Sequence, residues 1–109
     1  MGTEKWITQI QLYNIVTIRK YRLDLDLSGA DVSTGIEKSP NFIGSIENGD
    51  GYYTDSVMND IASYFSKVAK ERQEALKQQK SKKKIKTEYT AHDFYPKKPL
   101  PDTRVIKRI

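Results

Sequence analysis

Two stretches of this chain carry residue types and spacings that invite chemistry. One is the acidic, glycine-bearing run Glu47-Asn48-Gly49-Asp50-Gly51-Tyr52-Tyr53-Thr54-Asp55; the other is the lysine run Lys80-Ser81-Lys82-Lys83-Lys84-Ile85-Lys86. Set against a calcium-binding loop, Asn48, Asp50 and Gly51 fall on the third, fifth and sixth positions. That register puts Ile46 first and Val57 twelfth, where the ion needs carboxylates, the last of them bidentate. Two aliphatic side chains cannot supply them, so the match is a decoy. A phosphate cradle fails as well: neither G-x-x-x-x-G-K-[ST] nor G-x-G-x-x-G is present, and Glu47 and Asp50 would repel phosphate. The plainer reading is a turn with positive φ at Asn48-Gly49, followed by a helix that Thr54 or Asp55 caps.

Other candidate chemistry is thinner. Asp24 and Asp26, with Asp31 close by, would share one face of a strand, roughly 6–7 Å apart, where paired carboxylates bind Mg²⁺ or do acid–base work. No Lys, His or further acid joins them at a recognised spacing, and the solvent face of an amphipathic strand is the better account of them. His92 is the sole histidine and there is no cysteine, so zinc has too few good ligands. No G-x-S-x-G elbow supports a nucleophile. The chain reads as non-enzymatic, with no cofactor, metal or small-molecule substrate implied.

The lysine run allows sharper readings. Lys77, Lys80, Lys82, Lys83, Lys84 and Lys86 could bind a phosphate backbone, with Tyr89, Phe94 and Tyr95 available to stack on bases. They could instead lie on an acidic protein surface, or simply keep a helix end solvated. Point-charge lysines with few arginines favour non-specific backbone contact over base readout, which uses bidentate Arg. The Pro96–Pro101 segment "PKKPLP" fits P-x-x-P superficially but lacks a correctly placed flanking Arg.

Composition bounds the elements that must position these residues. The chain has 109 residues, 37% hydrophobic and 30% charged, which suits one domain with a modest core. Its net charge of +5 is unevenly spread. Residues 1–66 hold 5 Lys/Arg and 9 Asp/Glu, residues 67–109 hold 14 and 5, so the halves carry −4 and +9. Such asymmetry points to a basic arm that engages something negative. The N-terminal run has no charged start followed by an apolar stretch, Trp6 stands where a myristoylation signal wants Ser or Thr, and no run nears the ~20 apolar residues of a membrane span. The expected location is the cytoplasm or an assembled particle, without signal-peptide secretion, a transmembrane span or a membrane partner. An excess of Lys over Arg (14 to 5) and of Ile over Leu (11 to 6) suggests A/T-rich codons.

In residues 6–28, Tyr21, Leu23, Leu25 and Leu27 alternate with Arg22, Asp24 and Asp26, which predicts a strand. Ile10, Leu12, Val16 and Ile18 have the opposite parity, so a hairpin or a bulge is expected between them; a short helix over 4–14 also fits. Residues 28–51 read as loop. Val57, Ile61, Phe65 and Val68 step by 4, 4 and 3, predicting a helix over about 55–80 whose second half is polar. Beyond it, residues 85–91 alternate like an edge strand, and the proline-containing remainder cannot be helical.

The expected architecture is therefore α+β: a short antiparallel sheet within 6–28 packed on one long helix. Residues 1–79 form that domain, and residues 80–109 form a basic, extended arm. Phe94, Tyr95, Leu100, Val105 and Ile106 are the expected anchors of this arm on other protein subunits. The leading expectation is a structural or interaction subunit of a larger macromolecular assembly, a phage or viral particle component being one example. The alternatives are a nucleic-acid-binding module that uses the 77–86 lysines on DNA or RNA, and a small protein inhibitor of an enzyme or host factor.

Overall fold

The structure, a computed structural model, describes the backbone of residues 5–100 and 104–107 and the side chains of residues 7–100. It corrects the expected architecture. Strand β1 (Lys5–Thr8) is followed by helices α1 (Gln9–Asp24), α2 (Gly29–Gly35), α3 (Phe42–Glu47) and α4 (Asp55–Gln78), a 3-10 turn (Ala91–Phe94) and strand β2 (Arg104–Lys107). The strands pair only with each other, antiparallel, with Trp6 opposite Ile106 and Ile7 opposite Val105. This ribbon joins the two ends of the chain and leans on α1, so no sheet within 6–28 packs on the long helix. The protein is mostly helical.

Residues 9–24 are helix where strands were expected, because local caps and burial agree on that state. Thr8 Oγ accepts from the Gln11 amide at 3.1 Å while Gln11 Oε1 accepts from the Thr8 amide at 2.9 Å, a reciprocal capping box. Asn14, Ile15, Ile18 and the capping Leu25 are buried, and Tyr21 packs against the core, a spacing of three and four. Tyr21 and Leu25 thus satisfy a helical step as well as the period of two. Leu23, which lies between them, is 53% exposed.

Among the described residues the four α-helices terminate alike. After α1 the Leu27 amide bonds the Arg22 carbonyl and the Asp26 amide bonds the Leu23 carbonyl, with Asp26 at φ 56°. The same doubled closure follows α2 at Glu37 (φ 64°), α3 at Gly49 (φ 101°) and α4 at Lys80 (φ 59°). This is the Schellman arrangement, in which a left-handed residue satisfies carbonyls the helix leaves open. Gly49 therefore ends α3, and the turn it makes delivers the chain to Thr54, whose hydroxyl accepts from the Val57 amide and opens α4. The long helix expected over 55–80 occupies Asp55–Gln78.

The core lies between these helices. Ile18, Val32, Ile43, Met58, Ile61 and Phe65 are buried there, and Ser33 bridges α2 to α3 by donating to the Gly29 carbonyl and accepting from the Ile43 amide. Beyond α4 the chain returns along the helix and adds Tyr89 and Phe94 to the same core. The ring of Phe94 sits 6.0 Å from Phe65, at 84° to it, and 6.0 Å from Tyr21. Its carbonyl accepts from the buried Asn14 Nδ2 at 2.6 Å.

A second tether fixes the other end of α1. Arg22 donates through Nε and Nη2 to the two oxygens of Glu47, at 2.9 and 2.8 Å, and through Nη1 to the Leu27 carbonyl at 2.7 Å. Both side chains are about nine-tenths covered, which makes this bidentate pair a clamp between α1 and α3. The hydrogen bonds to Glu47 raise the Arg22 guanidinium above its usual value.

Candidate functional site

The lysines expected to bind nucleic acid come together at the far end of α4. Lys77 lies in its last turn, Lys80 is the left-handed residue that closes it, and Lys82, Lys83, Lys84 and Lys86 follow on the return path. All six are exposed. Two of them have a local role, since cations near a helix C-terminus offset the negative end of its dipole.

The loop that carries them is pinned at both ends. At the helix end the Ser81 amide bonds the Leu76 carbonyl, and Ser81 Oγ accepts from the Lys83 amide at 3.2 Å. On the return side, the Gln73 side chain acts as a surrogate peptide group. Its Nε2 donates to the Lys83 carbonyl at 3.0 Å and its Oε1 accepts from the Ile85 amide at 2.8 Å. Four residues further on, Ser66 Oγ accepts from the Tyr89 amide at 2.8 Å and contacts the Tyr89 carbonyl at 3.2 Å. The edge strand expected over 85–91 does not form: residues 85–90 belong to no sheet, side chains of α4 hold them in place of a neighbouring strand, and Ala91 already opens the 3-10 turn.

Lys86 is already engaged: its Nζ lies 3.5 Å from Asp93 Oδ2 and 5.0 Å from the centre of the Tyr89 ring. Among the described residues Lys77, Lys80, Lys82, Lys83 and Lys84 form no ion pair. Five cations therefore share one short stretch of fixed backbone with no ion-pair partner among the described residues.

Beside this loop opens a cleft of about 520 Å³ between the last turn of α1, the outer half of α4 and the return segment. Tyr21, Leu25, Leu76, Ile85 and Tyr89 supply its apolar lining. Asp24, Arg72, Gln79 and Lys86 are its polar members. Burial and the nearby Asp24 charge push the Tyr89 hydroxyl above its usual value.

The expected anchors do not form one outward surface. Phe94 is 0% exposed within its own chain, so it is not available to a neighbouring subunit, nor can it stack on a base. Tyr95 is half-buried and its hydroxyl donates to Asp55, the first residue of α4. That bond, with burial, pushes its pKa up to about 12. Leu100 is half-buried. The backbone of Val105 and Ile106 pairs in β2, but their side chains lie outside the described residues.

The acids are dispersed too. Asp24 ends α1, Asp26 makes the left-handed turn, and Asp31 caps α2 in a box with Ser28, whose hydrogen bonds hold its carboxyl below the usual range. They share no strand face. His92 is exposed on the 3-10 turn. Among the described residues no three His, Cys, Asp or Glu side chains gather as a metal site would need, and no helix is long and apolar enough to cross a membrane.

Sequence reading missed the cleft and the Gln73 clamp, because both depend on the return path after residue 80. It also missed an apolar outer face of α1. Ile10, Tyr13, Val16 and Leu23 are 37%, 37%, 58% and 53% exposed, so this helix carries apolar side chains on the surface as well as in the core. No protein-family model, curated protein or solved structure matches the chain.

Proposed function

We propose that the protein is a non-enzymatic nucleic-acid-binding module that grips the phosphate backbone with the lysines at the end of α4. The observation that carries this reading is the set of five exposed lysines on the pinned 77–84 stretch that form no ion pair among the described residues. A fixed backbone lowers the ordering cost of binding, and unpaired cations release condensed counter-ions when they meet phosphate. Lysines serve here as point charges, so the contact is with backbone and carries little base sequence information.

The test uses the full chain, since removing residues beyond 79 would take Tyr89 and Phe94 out of the core. Labelled DNA and RNA are titrated by fluorescence anisotropy at about 50 and 200 mM salt, and about five phosphate contacts weaken binding on the order of 10²–10³-fold across that range. A variant with Lys80, Lys82, Lys83 and Lys84 all changed to Gln loses most of the affinity and most of the salt slope. Absence of binding by the unmodified protein at the lower salt would overturn the reading.

A second reading, a subunit of a larger assembly, draws support from the outer face of α1. Four large apolar side chains on one exposed helix face are what an interface with another protein would cover. Val16→Lys would then abolish association detected by sedimentation, without altering stability.

A further inference from the structure

The cleft beside the lysine loop differs from a plain electrostatic surface. Its walls are apolar and aromatic, its volume of about 520 Å³ is that of an ordinary small-ligand site, and it touches the lysine run through Ile85 and Lys86. We infer that it receives one unpaired nucleobase from a strand whose phosphates lie on the lysines, so that the protein prefers single-stranded nucleic acid. The inference rests on the phosphate-binding reading above and specifies its ligand.

Charge and shape both favour this occupant over an apolar peptide or a lipid tail. Arg72 is exposed, forms no ion pair among the described residues although its charge reaches Asp31, and lines the cleft from α4. A guanidinium plane and a half-exposed tyrosine such as Tyr21 are the groups on which splayed bases stack. Asp24 is the single acid in the lining; it would repel a phosphate but accept hydrogen bonds from the amino or imino groups of a base. A base within a duplex is already stacked and paired, and reaches such a cleft only at the cost of extrusion.

The experiment compares three labelled ligands of equal length on the full-length protein: an oligothymidine, the same strand made abasic throughout, and a duplex. At the lower salt the oligothymidine binds more tightly than the abasic strand by on the order of tenfold, the contribution of one stacked base. Both strands show similar salt slopes, because the lysine contacts are shared. Ala75 is exposed on the cleft wall, so Ala75→Trp fills the space without disturbing the core. It brings oligothymidine affinity down to the abasic value and leaves abasic binding unchanged, which also reports that the variant is folded. Equal affinity of the unmodified protein for both strands, with a steep salt dependence, would overturn the cleft assignment and leave the phosphate reading standing. A preference for oligothymidine that survives Ala75→Trp would also overturn it. No binding of either strand would overturn both.

Discussion

Replacing Phe94 with Ala is the most direct probe of whether the lysine-bearing segment belongs to the fold. The ring is 0% exposed and meets Phe65 and Tyr21, each at 6.0 Å between centres. Truncating a packed Phe to Ala costs about 3–5 kcal/mol, from lost transfer energy and the cavity left behind. The Asn14 hydrogen bond goes to the Phe94 backbone carbonyl, so the substitution leaves that partner in place and the loss reports the ring. A chain of 109 residues has roughly 5–15 kcal/mol in total, so about a fifth or more of its stability is at stake. With a urea slope of about 1–2 kcal/mol per M, the unfolding midpoint falls by roughly 2–4 M. Circular dichroism against urea measures it, with exposed Lys98→Ala as the control from the same segment. If residues beyond 80 formed a separable arm, Phe94→Ala would behave like a surface change, within about 0.5 kcal/mol. A midpoint shift that small would refute the packing argument.

Three further outcomes follow from particular side chains. Arg22→Leu leaves the covered Glu47 carboxylate only the exposed Arg19, whose Nε lies 3.5 Å away, and costs about 2–4 kcal/mol, and adding Glu47→Leu restores a good part of it; failure of the double variant to recover would show that the clamp does not carry this stability. The Tyr53 hydroxyl is buried without a hydrogen-bond partner, and burial raises its pKa, so Tyr53→Phe keeps stability or increases it by up to about 1 kcal/mol in a thermal melt. Tyr95 is held as the neutral phenol up to about 12, above the 10.0 of a free tyrosine. The folded state therefore binds the proton more tightly than the unfolded one, so the stabilisation is complete below pH 10 and is lost as pH rises from 10 towards 12. Tyr95→Phe flattens that part of the alkaline decline; an unchanged slope would show that Tyr95 does not set it.

The long helix was legible because its signal is redundant: Val57, Ile61, Phe65 and Val68 share a face and Thr54 supplies a cap. The decoy calcium loop was also legible as the turn before it. By contrast, α1 was hidden by a coincidence of periods. Tyr21 and Leu25 fit both steps of two and a step of four, Leu27 lies past the closure, and Leu23 faces water although it completes the alternation. Helix ends at Asp26, Glu37 and Lys80 carried no punctuation, because the left-handed residue is not the expected Gly or Asn. The helices of seven and six residues within 28–51 are too short to show a period. For the site, composition alone revealed the lysines. The cleft follows from the return path that sets Ile85 and Tyr89 beside α1 and α4, and the loss of Phe94 as an outward anchor from a contact between residues 14 and 94; no local pattern encodes either.

That contact has a consequence for how the chain acquires its shape during synthesis. Asn14 is made 80 residues before Phe94, whose carbonyl its amide needs, and β1 waits longer still for β2. Until then Phe65, Ile18 and Tyr21 lack the ring that finishes their packing. Helices can form as they appear, but cooperative closure waits until the segment after α4 has been made. The cluster of charges is thus made before Tyr89 and Phe94, the residues that complete the body on which its geometry depends.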